Sequence, residues 1–302
     1  MALITTTSFA KAIAPGVNKW YGDAYKDWAS EWDKIFPTFK SKRSYEEDVS
    51  YSGLGLASVK TQGAALTYDD MRQGFTTRYS HVVYALGFII TREMYEDDLY
   101  GIIGKKKAGA LAKSMRQTKE TVAANVLNRA FTSTYTGGDG KELCATDHPN
   151  VAGGTFANEL TTAADLSEAA LEQATIDIAA FTDDRGLKMA ARPTKLVIPP
   201  QLMFEAHRIL KSSLQVDTAN NNANALKDMG IVRDIIVNHY LTDSDAWFLL
   251  TDVNDGLKHF ERRPDAFEMD NDFDTENAKF KATARYSFGW SDPKGIYGSP
   301  GA

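Results

Sequence analysis

ATARYSFGWSDPKGIYGS, residues 282–299, is the stretch from which the rest of the chain is read. Its first part completes a strand-like run from Ala278 to Tyr286, and Trp290 to Tyr297 forms a turn-rich end. It carries no catalytic residue. Upstream, Ile231 to Val237, Ala246 to Leu250 and Leu257 to Phe260 read as three further apolar strands, and Ala219 to Ala225, ANNNANA, as a solvated low-complexity loop. Lys195 to Pro199 reads as a short buried strand, after which Pro200 can open a helix carrying Leu202, Ala206, Ile209 and Leu210.

The middle of the chain is helical. Ala108, Leu111, Ala112, Met115, Val122, Val126, Leu127 and Ala130 share one side of a helix expected over 105–131, long enough at 1.5 Å per residue to span roughly 40 Å. Thr91 and the carboxylates after it suit the start of a shorter helix. Residues 132–162 are loop-like. Asp165 with Glu168 resembles a capping box for a helix whose apolar face is Leu171, Ala174, Ile178 and Phe181, stopped at Asp183 to Gly186.

Two N-terminal segments have no visible core of their own. Tyr21, Tyr25, Trp28, Trp32 and Ile35 fall at helical spacing within residues 17–36, and with Trp20 this short stretch holds three of the chain's five tryptophans. Such a stripe must dock either on distant parts of its own chain or on another subunit. From Asp48 to Ile90 the sequence is glycine-punctuated and β-rich, reading as a long two-stranded arm. An isolated hairpin is marginal in water, so the arm needs a neighbour to lie on.

Composition excludes several classes of function. With 43% hydrophobic residues the 302-residue chain can bury a sizeable core, and 34 basic against 40 acidic residues, a formal charge of −6, give no net field for gripping nucleic acid. The lone Cys144 rules out an internal disulfide, the first sixteen residues lack the pattern of a secretory signal, and the apolar run Val82 to Ile90 is too short to cross a membrane as a helix. A soluble chain is expected.

No set of residues converges on catalysis. Cys144 and His148 form a C-x3-H pair, but zinc needs about four ligands and no second Cys/His pair exists, so a packed loop is expected. Asp270, Asp272 and Asp274 alternate as at the start of a calcium loop, yet Thr275 and Lys281 replace the glycine and glutamate that such a loop needs. Glu93, Glu96, Asp97 and Asp98 read as a solvated helix start, and His81, His207, His239 and His259 as scattered packing or surface residues. Neither a phosphate-cradling glycine loop nor a G-x-S-x-G elbow is present. No enzyme activity, cofactor or metal is expected.

The C-terminal run resembles the closing segment of the major capsid proteins of tailed bacteriophages. So does the order before it: IITREMYEDD ahead of the long helix, the ATDHPN loop, PTKLVIPP leading into a helix, and GIVRDIIVNHYLTDSDAWFLLTD. The match covers nearly the whole chain in element order and is similar in particular to head subunits of Mu-like phages and prophages. The resemblance implies an α+β fold of the Hong Kong ninety-seven type. On this sequence it implies an N-terminal arm at 1–45, an extended loop at 46–90, a peripheral domain at 91–189 with its spine helix at 105–131, an axial domain at 190–265, and a return to the peripheral domain over 266–302.

The function so implied is self-assembly into hexamers and pentamers of an icosahedral head around phage DNA, built in the bacterial cytoplasm. Implied partners are other copies of the chain, a portal, a scaffolding protein and, in some members, a cement protein, with no membrane and no sequence-specific DNA contact. The arm is too short for the long scaffolding segment some members carry, so that segment is expected as a separate protein or as already removed. Contacts between subunits are expected at Trp20, Tyr21, Tyr25, Trp28, Trp32 and Lys60, the single lysine of the extended loop. A cellular nanocompartment shell of the same fold is the alternative.

Overall fold

The computed structural model describes residues 19–26, 29–97, 102–215, 222–272 and 277–302. Residues 19–26 form helix α1. The chain continues through strands β1 (Thr38–Lys40), β2 (Tyr45–Tyr51), β3 (Gln73–Ser80) and β4 (Val82–Ile90) to helices α2 (Arg92–Asp97) and α3 (Ile102–Asn128). A small hairpin, β5 (His148–Pro149) with β6 (Thr155–Phe156), precedes α4 (Glu168–Ala179), β7 (Pro193–Ile198), α5 (Met203–Lys211), α6 (Ala225–Asp228), β8 (Asp234–Val237) and β9 (Trp247–Thr251). The long strands β10 (Leu257–Asn271) and β11 (Ala278–Trp290) and the short β12 (Ile296–Ser299) close the chain.

Helix α3 is the long helix that the apolar spacing predicts, three residues earlier at each end, and it serves two sheets. Its N-terminal half buries Ala108, Leu111, Ala112 and Met115 against Phe280, Ala282, Ala284 and Tyr286 of a sheet ordered β1-β10-β11-β4. Its C-terminal half buries Ala123 and Leu127 against Val197, Phe248, Leu250 and Ile296 of a second sheet, ordered β12-β9-β7-β8. Because its two halves are buried against different sheets, Lys119, Ala123 and Ala124 are buried while Val122 and Val126 are only partly so.

The second sheet is covered on both faces, which is why its strands read as continuous apolar runs. Val197, Phe248, Leu250 and Ile296 face α3, while Leu196, Ile198, Trp247, Leu249 and Tyr297 face α4 and α5. These sets alternate along each strand, as a period of two requires. Helix α4 begins at Ser167, whose side chain accepts from the Ala170 amide, so Ser167 and not Asp165 is the cap. Thr91 caps α2 as expected, accepting from the Met94 amide at 3.3 Å.

Three expected boundaries move. Antiparallel pairing of β2 with β3 runs from Tyr45↔Ser80 to Tyr51↔Gln73 and ends there; β4 pairs instead with β11. The β2–β3 pairing therefore ends at Ser80, and Val82–Ile90 belongs to the four-stranded sheet. The long strand β10 lies in the first sheet, so a boundary at residue 265 would cut it, and Pro264 sits where its register with β11 shifts. Finally, β12 pairs within the second sheet and α4 packs on it.

Candidate assembly surfaces and buried polar clusters

The aromatic stripe docks on its own chain. Tyr21 is only 6% exposed, stacks on Phe267 at 4.8 Å and hydrogen-bonds Asp265. Burial and Asp265 push the Tyr25 hydroxyl up to about 12. Trp32 sits edge-on to His259 and Phe288, at 4.5 and 5.6 Å, and takes the Lys119 ammonium over its ring at 4.2 Å. Ile35 is buried beside Phe36. Trp20 and Tyr25 remain half-buried, and Trp28 lies outside the described residues. Tyr21 and Trp32 thus spend most of their apolar surface on the chain that carries them.

Around this stripe lies a polar cluster without a local sequence signal. Glu120 of α3 accepts the amides of Glu31 and Trp32 at 2.9 and 3.1 Å, capping a 3-10 turn over Trp32–Lys34. Lys119 pairs with Glu261 at 3.8 Å, and burial lowers its pKa. Burial, with help from the Lys119 charge, pushes His259 down to about 3.

The hairpin β2–β3 rests on the first sheet through Tyr79, which is buried against Phe260 at 4.8 Å. Beyond it, residues 52–72 contain no strand and carry Leu54, Leu56, Val59, Leu66, Tyr68 and Met71 exposed, Val59 to 94%. Lys60 is exposed beside them. Six apolar side chains are thus exposed together on one segment. The tip is ordered by Asp69, which accepts the Gly55 amide at 2.7 Å and the Arg185 guanidinium at 3.0 Å; these contacts hold its carboxyl below the ordinary range.

At the hairpin's root, Lys258 pairs with Asp48 and Asp255 at 2.6 and 2.7 Å. Ser291 also donates to Asp48, at 2.6 Å, and Tyr79 meets Ser291 at 2.5 Å. These anchors come from β10 and the segment after β11, and none was foreseen from the sequence.

Cys144 and His148 do not form a pair. His148 directs its ring nitrogens at Asp139 (2.6 Å) and Asn158 (3.1 Å), and burial raises the Cys144 thiol well above its ordinary value. Asn158 accepts the Ala145 amide and donates to the carbonyls of Leu143, Pro293 and Ile296, at 2.8 to 3.2 Å. The ATDHPN loop is thereby knotted to the C-terminal run. Asp272 pairs with Lys279 at 2.7 Å across the β10–β11 turn, while Asp274 lies outside the described residues. Among the described residues no three His, Cys, Asp or Glu side chains converge as a metal site, and no helix is long and apolar enough to cross a membrane.

A family model described as phage capsid protein matches residues 74–299. No curated protein matches the chain. Among solved structures, the mature capsid of bacteriophage PhiM1 is similar at 13% identity and a TM-score of 0.56, over 90% of this chain and 86% of that one. A virus-like particle from Pyrococcus furiosus is similar at 13% identity and 0.53, over 94% and 98%. The procapsid of bacteriophage JBD30 is similar at 14% identity and 0.50, over 97% and 75%.

Proposed function

The chain belongs to the phage capsid protein family and has the Hong Kong ninety-seven type fold, and from that premise we propose that it self-assembles into hexamers and pentamers of an icosahedral head enclosing double-stranded phage DNA. A virion protein of this kind is a structural element and not a class of enzyme. The observation that carries the reading is the exposed apolar tip at 52–72, borne on the β2–β3 hairpin. Left in water, that surface opposes solubility; laid on a neighbouring subunit, it drives association. Each subunit lends its hairpin tip, with Lys60, to a neighbour, and the remaining surface of Trp20 and Tyr25 adds to the same contact.

The balance of charge supports an enclosure that does not grip its contents, since a formal charge of −6 offers no net attraction to phosphates. Portal and scaffolding proteins, and assembly in the bacterial cytoplasm, belong to the same proposal. The likeness to a virus-like particle from Pyrococcus furiosus, which spans nearly the whole of both chains, favours one alternative, a nanocompartment shell around a cargo protein. Neighbouring portal, terminase or tail genes would select the phage, and an adjacent cargo enzyme the compartment.

Sedimentation velocity of the purified chain, alone and with a co-expressed scaffold, tests the proposal. Capsomers or shells are expected. A monomer under every such condition would overturn it.

A further inference from the structure

The chain enters the hairpin through Ser41 to Tyr45 and leaves it through Ser80, with one residue, His81, before β4 begins. The His81 imidazole is buried, and its two nitrogens face two different elements: Nδ1 lies 2.9 Å from the Ser287 hydroxyl of β11, and Nε2 lies 3.0 Å from the Ser41 hydroxyl. Ser41 in turn donates to Glu46 of β2 at 2.7 Å and accepts the Arg43 amide at 3.1 Å. Both roots of the hairpin are thus tied through one ring to the four-stranded sheet.

Proton accounting fixes the direction of this relay. Because the Ser41 proton is committed to the Glu46 carboxylate, Ser41 must accept from His81, so Nε2 carries the hydrogen. Nδ1 is then bare and accepts from Ser287. The imidazole is neutral. The charged groups that face it are Arg285 from β11, Arg262 from β10 and Glu46 from β2; burial first, then the two arginines, lower its pKa, and Glu46 only partly offsets them. A proton added at Nδ1 would force the Ser287 hydroxyl to turn and place a buried cation beside two guanidinium groups.

We propose that His81 is the positioning residue of the hairpin's entry and exit: when neutral it fixes both ends against the sheet, and when protonated it releases them, so that acidification loosens these ends while Lys258–Asp48 and Tyr79–Ser291 still hold the strands. The consequence for contact with a neighbour rests on the shell reading above. The pivot itself does not, and it is tested within one chain.

Hydrogen exchange of the full chain, corrected for intrinsic rates, would be compared at about pH 7.5 and about pH 4, the acid value lying below ordinary histidine titration because burial and the arginines lower this group. Peptides covering 41–46 and 78–83 are expected to lose protection by about tenfold or more at the acid value, while β7 and β9 keep theirs. His81→Gln retains a hydrogen-bonding side chain without the titration and is expected to abolish that fall. Hairpin ends that stay protected in the wild type at acid pH, or a fall of equal size in His81→Gln, would overturn the proposal. Should the variant not fold, nitrogen NMR of the wild-type ring decides: a bare Nδ1 and protonated Nε2 at neutral pH support the relay, and the opposite tautomer sinks it.

Discussion

Lys258 and Asp48 meet at 2.6 Å across 210 positions of sequence, and this contact fixes the root of the projecting hairpin to β10. The Lys258 side chain is 9% exposed and Asp48 30%, so the pair is shielded on one side only. Lys258→Met leaves Asp48 and Asp255 facing each other without a cation and is expected to cost about 1–3 kcal/mol, less than a fully buried pair would. Adding Asp48→Asn should recover part of that loss. Urea unfolding of the two variants measures both.

Where the turn before β10 crosses the 3-10 turn before β12, two glycines touch. A Cβ built on Gly256 would lie 2.8 Å from the Gly295 Cα, and that neighbour is backbone that cannot swing aside. Gly256→Ala should therefore destabilise by about 2–4 kcal/mol and loosen β12. A midpoint in urea within the error of the wild type would contradict this packing.

His259 gives stability a pH dependence with a definite sign. Its pKa falls from 6.5 to about 3 on folding, so the unfolded chain takes up a proton that the folded chain refuses. Stability is complete above 6.5 and declines as pH falls towards 3, at up to about 1.4 kcal/mol per pH unit from this group. His259→Phe should flatten that slope in urea titrations between pH 7 and about pH 4.

The thiol of Cys144 is buried and held in its uncharged form. It should resist alkylation in the folded protein and react at the ordinary rate once unfolded. Cys144→Ala is expected to cost about 1 kcal/mol by lost packing and to leave assembly intact. Loss of assembly would assign the sulfur a role that its burial does not suggest.

Leu56→Ser with Val59→Ser separates folding from association. Both side chains are exposed in the chain, so unfolding in urea should move by no more than about 0.5 kcal/mol. Shell yield by sedimentation should fall sharply. Unchanged yield would remove the hairpin tip from the assembly surface.

Elements whose pattern lies within a short window were legible in the sequence. The apolar stripes of α3 and α4, the run Lys195 to Ile198 and the strand from Ala278 follow from local periodicity, and each sits within a few residues of its expected place. Where the arm ends was not legible, because only His81 separates β3 from β4 and both are β-rich. The four residues of β12 carry no pattern that assigns them to a sheet. The polar anchors were hidden for a different reason: Asp48 and Lys258, Glu120 and Trp32, and Asn158 and Ile296 are partners only after folding, across 88 to 210 positions. The aromatic stripe was seen, but periodicity cannot say what a stripe docks against, and Tyr21 and Trp32 find their own sheet.

Electron cryomicroscopy of the purified protein, with scaffold where needed, tests the central claim most directly. Closed icosahedral shells are expected, with residues 52–72 of each subunit laid on the next. Particles in which that segment touches no neighbour, or a preparation that stays monomeric, would contradict it.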